Sequence, residues 1–289
     1  MIAATVERVG VIGGGVMGSG IAEVCARAGL DVIVCEADQA AAERARARIE
    51  RSLARAIKAG KLSEEESAAA AGRTRMVTSL DELADRQLTI EAVTENESLK
   101  VDVFRRLDEV VADGDAIMAS NTSSIPIMKL AMATRRPESV VGLHFFNPVP
   151  VLTLVELIAS LLTGESTIER AQSFAQSTLH KTVIRSGDRA GFIVNALLIP
   201  YLLSAIRMTE SGFATPEDID RGMVLGCAHP LGPLALSDLI GLDTVQAVAE
   251  SLYDEFKEQL YAPPPLLLRM VDAGLLGRKT GRGFFTYPG

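Results

Sequence analysis

Short apolar runs alternate with longer segments of helical character along the chain as far as residue 186. Each run is bounded by glycine or polar residues and is short enough to be a buried strand. The predicted strands are residues 9–12, 31–36, 88–93, 116–119, 140–144 and 152–158. Because strands that alternate with helices usually pair in parallel, the pattern predicts an α/β fold with a doubly wound, mainly parallel sheet.

Helices are predicted between these strands. Ser63 and the glutamates that follow it form a helix-start signal, in which a hydroxyl and a carboxylate bind free amide groups. The predicted helices are residues 16–27, 38–59, 99–111 and 125–133, together with the segment that Ser63 begins. They supply the long connections that parallel strands require.

The pattern changes at residues 186–191, which are polar and contain glycine. Beyond them no strand pattern recurs, and Thr215 and Pro216 with the acids that follow form a strong helix start. The predicted helices there are residues 192–210, 216–225, 244–259 and 265–273. We therefore expect an α/β domain over residues 1–186 and an all-α C-terminal domain over residues 187–289.

Size and charge narrow the class of protein. A chain of 289 residues exceeds the size that one core usually serves, and 48% hydrophobic residues can fill two cores. The net charge of -8 argues against a general nucleic-acid binder or a protein of anionic membrane surfaces. We therefore expect no nucleic-acid partner and no membrane partner.

The cysteines and the apolar stretches bear on location. Cys25, Cys35 and Cys227 are odd in number and lack metal-ligand spacing, so we expect no metal site and free thiols in a reducing cytoplasm. Residues 193–206 are the most apolar stretch, but polar residues and a proline interrupt it. Neither this stretch nor the N-terminus predicts a membrane span or a signal peptide.

A glycine-rich loop follows the first predicted strand and opens the first predicted helix. Gly13 permits a tight turn, Gly15 lets the backbone approach a pyrophosphate, and Gly18 allows close packing. Glu36 ends the next strand, where an acidic residue binds the ribose hydroxyls of a dinucleotide and repels the 2'-phosphate of NADP. The predicted cofactor loop is Gly13, Gly14, Gly15, Val16, Met17 and Gly18. The sequence thus predicts a Rossmann-type domain that binds NAD, unless Glu36 is only a solvated strand end.

His144 ends an apolar strand, and Glu156 lies in the next predicted strand. The carboxyl ends of parallel strands open into the ligand crevice, which favours a functional site there. A carboxylate on one ring nitrogen would fix the tautomer and favour the imidazolium, leaving the other nitrogen for a substrate oxygen. The pattern predicts a catalytic pair; the alternative is a buried structural ion pair.

Hydroxyl side chains follow another predicted strand, in the segment Ser-Asn-Thr-Ser-Ser over residues 120–124. They would lie at the same crevice. The alternative is a helix cap for the segment from Ile125, a role that suits Ser124.

Motifs along nearly the whole chain resemble those of the L-3-hydroxyacyl-CoA dehydrogenase family and, within it, the stand-alone bacterial 3-hydroxybutyryl-CoA dehydrogenases. HFFNPVP and SNTSS at this separation are highly specific. The matching segments are GGGVMGSGIA at 13–22, EAVTEN at 91–96, ASNTSS at 119–124, GLHFFNPVPV at 142–151, GFIVN at 191–195, HPLGP at 229–233, GLD at 241–243 and GRKTGRGF at 277–284. One departure is Glu36, where the family usually has aspartate.

The resemblance implies roles for individual residues. His144 would be the general acid/base and Glu156 its orienting partner, while Ser123 and Asn195 would hydrogen-bond the substrate oxygen. The further positions that match the family's cofactor site are Glu95, Lys100, Asn147 and Lys279.

Cations recur at intervals of three and four residues on the helix over residues 38–59, so they share one face. They are Arg44, Arg48, Arg51, Arg55 and Lys58, with Lys61 just beyond. The face is either solvated, with Glu43 and Glu50 relieving the repulsion, or it binds the phosphates of CoA. The candidate CoA contacts are Ser52, Arg55, Lys58 and Ser123.

The resemblance implies an NAD-dependent oxidoreductase of fatty acid metabolism that interconverts an L-3-hydroxyacyl-CoA, most simply 3-hydroxybutyryl-CoA, and a 3-oxoacyl-CoA. It also implies a homodimer through the helical domain. Two alternatives differ in the site they require. A β-hydroxyacid dehydrogenase with a non-CoA substrate would rely on a lysine of the helical domain, and a crystallin-like relative would bind the cofactor without turnover.

Overall fold

The computed structural model describes residues 6–287. These residues form two compact units that divide between Asp188 and Arg189. The first unit contains an eight-stranded sheet flanked by helices, and the second is built from helices. The α/β fold followed by a helical C-terminal part is therefore confirmed.

The sheet of the first unit is mainly parallel. Its strands are β1 (Arg8–Ile12), β2 (Asp31–Cys35), β3 (Thr74–Val77), β4 (Leu88–Glu91), β5 (Ile117–Ser120), β6 (Val140–Phe145), β7 (Leu154–Ala159) and β8 (Thr182–Gly187). They lie in the order β3-β2-β1-β4-β5-β6-β7-β8. Strands β1 to β6 are parallel, β7 is antiparallel to β6, and β8 is parallel to β7. The order changes direction between β1 and β4, the switch point at which such sheets bind ligands.

Three features of the sheet differ from the sequence prediction. Strand β8 is not among the predicted strands, because it is partly polar and none of its residues is buried. Strand β3 is not predicted, because only its end residues, Thr74 and Val77, are buried, and a short edge strand of this kind has no apolar run. The reversal of β7 is not predicted either, because the apolar pattern of a strand carries no direction.

The helices of the first unit are α1 (Val16–Arg27), α2 (Gln39–Lys58), α3 (Glu64–Gly72), α4 (Glu97–Val110), α5 (Ile127–Ala131) and α6 (Glu165–Ser173). Three of these six helices, α2, α3 and α4, begin at a side-chain cap. The Asp38 side chain accepts a hydrogen bond from the Ala41 amide at the start of α2, and Ser63 and Glu66 form both bonds of a capping box at the start of α3. Helix α6 is not predicted, because nine residues rich in polar side chains give a weak signal.

Helix α2 buries one face and exposes the other. Ala42, Ala45, Ile49 and Leu53 are buried at helical spacing. Ile49 and Leu53 belong to the apolar core that also contains the central strands and α1. The cationic side of α2 is therefore left free of core contacts, which positions it beside the site described below.

The second unit has its own apolar core. Its helices are α7 (Val194–Glu210), α8 (Pro216–Cys227), α9 (Pro233–Ile240), α10 (Leu242–Phe256) and α11 (Pro265–Asp272). The prediction lacks α9, whose eight residues lie between a proline and a glycine. Asp238 holds the C-terminal segment, since its carboxylate accepts the amides of Phe284 and Phe285. None of the helices in the described residues has the length and apolar character needed to cross a membrane.

Candidate active site

Backbone atoms leave no room for a side chain at Gly13, in the loop after β1, and at Gly18, in the first turn of α1. Gly13 has a φ of +90°, and an added Cβ there would lie 2.8 Å from the carbonyl oxygen of Ala92. At Gly18 an added Cβ would lie 1.7 Å from the carbonyl oxygen of Gly13. Both obstacles are backbone atoms, so a larger residue would displace the loop.

The first turn of α1 opens onto free space. An added Cβ at Gly15 would meet no atom within 4 Å, and Val16 is exposed. No side-chain cap binds the helix start within the described residues. The amide groups of Gly15, Val16 and Met17 and the positive end of the helix dipole are thus available to an anion. The space and the donors fit the pyrophosphate of a dinucleotide.

Glu36 lies beside this loop and is hydrogen-bonded to it. Its Oε1 accepts a hydrogen bond from the Gly14 amide at 2.6 Å. Arg48 of α2 donates to the Gly14 carbonyl oxygen at 3.2 Å. The backbone of Gly14 therefore joins the end of β2 to α2, and the Glu36 carboxylate is held at the edge of the cofactor loop.

A buried charge network occupies the ends of β4 and β5. Nζ of Lys100 lies 2.7 Å from Oε1 of Glu91 and 3.2 Å from Oε2 of Glu95. Lys100 and Glu91 are at most 1% exposed. Glu91 also accepts hydrogen bonds from the Val93 amide and the Ser120 hydroxyl. Buried charges persist where they are paired and hydrogen-bonded, and this network meets both conditions.

Glu95 connects the network to the hydroxyl segment after β5. The hydroxyls of Thr122, Ser123 and Ser124 donate to its Oε1 at 2.5, 3.3 and 3.0 Å. Burial acts to raise the pKa of Glu95, but the ammonium group of Lys100 and the hydrogen-bond donors outweigh it and lower the pKa below its usual value. The structure therefore brings Glu95, Lys100 and Ser123 together.

Sequence reasoning does not single out Glu91. It ends the buried strand β4 and is itself fully buried, so it is a charged residue at the end of an apolar run. An acidic residue at the end of an apolar strand could have drawn attention to Glu91, because a charge is rarely buried without a partner. Its place beside the switch point makes it part of the candidate site.

His144 and Glu156 face each other directly across β6 and β7. The antiparallel register pairs the two residues, and Nδ1 of His144 lies 2.7 Å from Oε2 of Glu156. His144 is 6% exposed and Glu156 is fully buried. Side chains at directly opposite positions of an antiparallel pair project to the same face and lie close together, which brings the ring and the carboxylate into contact.

The strand that carries His144 is tied to the hydroxyl segment. The side-chain oxygen of Asn121 accepts a hydrogen bond from the Phe145 amide at 2.9 Å. The ring of Phe146 lies against that of His144, with 4.6 Å between centroids. His144 is therefore held from both sides, by a carboxylate on its ring and by neighbours along the chain.

A cavity of about 290 Å³ lies beside the cofactor loop. One wall comes from α2 and includes Arg48, Arg51, Ser52 and Arg55. The other walls come from α1 and from residues 147–150, which include Asn147. Of the candidate CoA contacts, Ser52 and Arg55 line this cavity. Lys58 is exposed further along α2, and Ser123 belongs to the Glu95 network instead.

Two candidate residues belong to the second unit. Asn195 lies in the first turn of α7. Lys279 lies in a short 3-10 helix, Arg278–Thr280, where its Nζ is 2.5 Å from each carboxylate oxygen of Asp243. Lys279 is thus ion-paired within its own unit.

A Rossmann-type unit with a glycine cradle and a buried histidine-carboxylate pair, followed by a helical unit, defines a two-domain NAD-dependent dehydrogenase. Residues 8–189 match the family described as 3-hydroxyacyl-CoA dehydrogenase, NAD binding domain, and residues 191–287 match its C-terminal domain. The chain therefore belongs to the 3-hydroxyacyl-CoA dehydrogenase family, which confirms the resemblance seen in the sequence.

Relatives and solved structures agree with this assignment. The chain is 59% identical over 282 residues to a 3-hydroxybutyryl-CoA dehydrogenase of Mycobacterium tuberculosis, covering 98% of this chain and 99% of the relative. The crystal structure of FadB2 from M. tuberculosis superimposes with a TM-score of 0.98 at 58% identity, covering 99% of this chain and 100% of that one. That of (S)-3-hydroxybutyryl-CoA dehydrogenase from Ralstonia eutropha gives 0.92 at 46% identity, with the same coverage.

Proposed function

We propose that this protein interconverts an L-3-hydroxyacyl-CoA and a 3-oxoacyl-CoA with NAD(H), and that 3-hydroxybutyryl-CoA is its hydroxyacyl substrate. The observation that carries the proposal is the buried His144–Glu156 pair, with 2.7 Å between Nδ1 and Oε2, in the same unit as the glycine cradle. The names of the similar proteins support the choice of substrate.

His144 is the general acid/base in this proposal. Because Glu156 holds Nδ1, the substrate oxygen is bound through Nε2. In the oxidation Nε2 takes the proton of the hydroxyl group, and in the reduction it returns a proton to the developing alkoxide. The buried carboxylate of Glu156 stabilises the positive ring that exists between these two events and keeps its orientation fixed.

NAD supplies the acceptor for the hydride that leaves C3 of the hydroxyacyl group. The residues that would hold the cofactor are the glycine cradle and Glu36, with Glu95, Lys100, Asn147 and Lys279 as further candidates. Glu36 suits this role because its carboxylate is fastened to Gly14 at the edge of the loop and can accept the ribose hydroxyls.

Ser123 and Asn195 are proposed to hydrogen-bond the substrate oxygen. Ser123 donates to Glu95 at 3.3 Å, the longest of the three hydroxyl contacts of that carboxylate. If its hydroxyl turns to a substrate oxygen, Glu95 keeps the hydroxyls of Thr122 and Ser124. The rearrangement therefore leaves no buried carboxylate without donors.

The cavity beside α2 is the proposed place of the CoA moiety. Its arginines, Arg48, Arg51 and Arg55, supply positive charge in a protein with a net charge of -8. Phosphate groups bind such clusters through charge-assisted hydrogen bonds. Ser52 adds a hydroxyl donor in the same wall.

We also propose a homodimer through the helical unit and a cytoplasmic location. Half of the fourteen large hydrophobic side chains exposed in the described residues belong to the second unit, although it is the smaller one. Leu197, Phe213 and Leu225 are each more than 70% exposed. We propose that these side chains contribute to the surface that associates with a second copy of the chain. The free state of Cys25, Cys35 and Cys227 suits a reducing compartment.

The test of the proposed function is a steady-state assay of NADH oxidation with acetoacetyl-CoA, longer 3-oxoacyl-CoAs and free acetoacetate. We expect turnover with the thioesters and the highest kcat/KM with acetoacetyl-CoA. Turnover with acetoacetate alone would instead identify a hydroxyacid dehydrogenase. Binding of NADH without turnover of any of these compounds would identify a non-catalytic relative.

A further inference from the structure

The side chain of Lys181 forms hydrogen bonds with the turn that follows β6, the strand that carries His144. It lies just before β8, and its Nζ donates to the carbonyl oxygens of Val149 and Leu152, each at 2.6 Å. These bonds join residues that are 32 and 29 positions apart in the sequence. Hydrogen bonds from a charged donor are stronger than those between neutral groups, so two of them on one turn are a firm restraint.

The turn held by Lys181 comprises residues 148–152. Within it the amides of Val151 and Leu152 donate to the Pro148 carbonyl oxygen at 2.9 and 3.0 Å. Its other side packs on α1, because an added Cβ at Gly20 would lie only 2.9 Å from Cβ of Val149. The turn is therefore fixed between a helix on one side and the Lys181 ammonium on the other.

The same turn forms one wall of the cavity beside α2. Asn147, Pro148, Val149 and Pro150 all line it, and the wall from α2 carries the arginines. The position of the turn therefore sets the width of the cavity.

Partial burial of the Lys181 ammonium group costs desolvation free energy, which its hydrogen bonds to the turn must offset. Burial lowers the pKa of Lys181 from its usual value, the nearby Arg27 lowers it further, and Cys25 opposes them. A neutral apolar side chain of the same length would avoid that desolvation, but it would leave the carbonyls of Val149 and Leu152 without this donor.

We propose that Lys181 is a positioning residue for substrate binding. It holds the turn over residues 148–152 so that the cavity wall formed by Pro148, Val149 and Pro150 keeps the spacing that the thioester arm of an acyl-CoA requires. This inference rests on the proposed function, because it takes the cavity as the place of the CoA moiety.

The test compares Lys181→Met, which keeps the length of the side chain but has no donor, with Lys181→Arg, which keeps the charge and donors. Lys257→Met is a matched control, since Lys257 is exposed and pairs with Asp254 on its own helix. We measure kcat and the KM values for acetoacetyl-CoA and NADH in each folded protein. Calorimetry gives the affinity of each protein for CoA alone.

Lys181→Met is expected to raise the KM for acetoacetyl-CoA about tenfold or more, the effect of losing one or two charged hydrogen bonds. The KM for NADH should stay within about twofold, and Lys181→Arg should recover most of the loss. A purely structural role would instead lower the melting temperature and leave the KM for acetoacetyl-CoA unchanged. If Lys181→Met does not fold, Lys181→Gln must show the same selective rise.

Equal KM values in the parent and the donor-free variant would overturn the inference, as would equal changes for both substrates. A failure of the proposed function gives a different result, because the parent would then reduce no 3-oxoacyl-CoA at all. In that case the calorimetric affinity for CoA still decides the role of Lys181: it falls in Lys181→Met if the turn positions the cavity wall, and an unchanged value rejects the inference.

Discussion

Glu36 is the residue that we expect to set the cofactor preference. The bond from the Gly14 amide to Oε1 fixes its carboxylate beside the cradle, so a 2'-phosphate would meet a negative charge in a partly desolvated place. Glutamate has one more methylene than the aspartate usual in the family, and its carboxylate reaches the Gly14 amide of the loop.

We predict that the parent protein has a kcat/KM at least about tenfold higher with NADH than with NADPH, the effect of roughly 1.4 kcal/mol of repulsion. Glu36→Gln should narrow the difference, because glutamine keeps an oxygen for the Gly14 amide but has no charge. Glu43→Gln, an exposed change on α2, should leave the ratio as it is. Equal use of the two cofactors by the parent would show that Glu36 does not face the ribose.

Lys100 is expected to matter for stability as well as for the site. Lys100→Met would leave Glu91 fully buried without its cation and would remove one partner of Glu95. Breaking a buried ion pair by removing one partner destabilises a protein by about 3–5 kcal/mol. We predict a loss of this size in the free energy of unfolding measured with urea.

The matched control for this change is Lys257→Met, because the Lys257 pair with Asp254 is exposed. Its effect on the free energy of unfolding should stay within about 0.5 kcal/mol, as is usual for surface substitutions. Equal effects of the two changes would mean that the buried network contributes no more than a surface pair.

At the scale of single elements, local signals predict some parts of the fold and miss others. The predicted helix-start signals at Ser63 and Thr215 are found as caps in the structure, because both are short-range effects of the sequence. The missed elements β3, β8, α6 and α9 are short, and packing against the rest of their unit stabilises them more than their own residues do.

The direction of β7 was within reach of sequence reasoning. Only residues 146–153 connect β6 to β7, and a parallel crossover needs about a dozen residues or more. The length of this connection therefore requires β6 and β7 to be antiparallel. That pairing places Glu156 directly opposite His144, so the same argument would have predicted the contact between these two side chains.

The cationic face of α2 gives a prediction that distinguishes its members. Arg55 lines the cavity, whereas Lys58 is exposed outside it. We predict that Arg55→Glu raises the KM for acetoacetyl-CoA several-fold more than Lys58→Glu does, while the KM for NADH changes little in both. The difference should shrink as salt is added, because charges near the surface are screened over about 8 Å at physiological ionic strength.

If neither change alters the KM at low salt, the face is only a solvated surface. A larger effect of Lys58→Glu would contradict the proposed place of the CoA moiety in the cavity. Arg55→Glu and Lys58→Glu change the net charge by the same amount. A difference between their KM values therefore reports the position of the side chain along α2.

At the scale of the whole molecule, the sequence indicated the candidate residues of the site better than it indicated the hydrogen bonds that join them. The glycine loop, His144 and Glu156 follow from patterns whose chemistry is local. The contacts of Glu95 with the hydroxyl segment depend on how β4 and β5 pair, which no local pattern contains. Asn195 could be assigned a role only through the family resemblance, since its own unit shows no chemistry at that position.

The proposed homodimer can be tested by measuring the molar mass of the protein in solution. Light scattering after size exclusion should give twice the 30.8 kDa of one chain. Leu225→Asp should weaken the association if α8 lies in the interface, because a charge buried there would lose its hydration. Leu161→Asp is the control, since Leu161 is 95% exposed in the first unit. A monomeric parent would contradict the proposal.

The central claim is that His144 transfers the proton. His144→Gln keeps a polar side chain that can contact Glu156, but it exchanges no proton near neutral pH. We predict that its kcat for acetoacetyl-CoA reduction falls by about 100-fold or more, the usual size of general acid/base catalysis. NADH affinity should persist, because the glycine cradle and Glu36 are unchanged. His180→Gln, at an exposed histidine of the same unit, should behave like the parent.

The most direct measurement is therefore the turnover of folded His144→Gln with saturating NADH and acetoacetyl-CoA. The account predicts a rate at least about two orders of magnitude below that of the parent, with NADH binding retained. A folded variant that reduces acetoacetyl-CoA at close to the parent rate would contradict it.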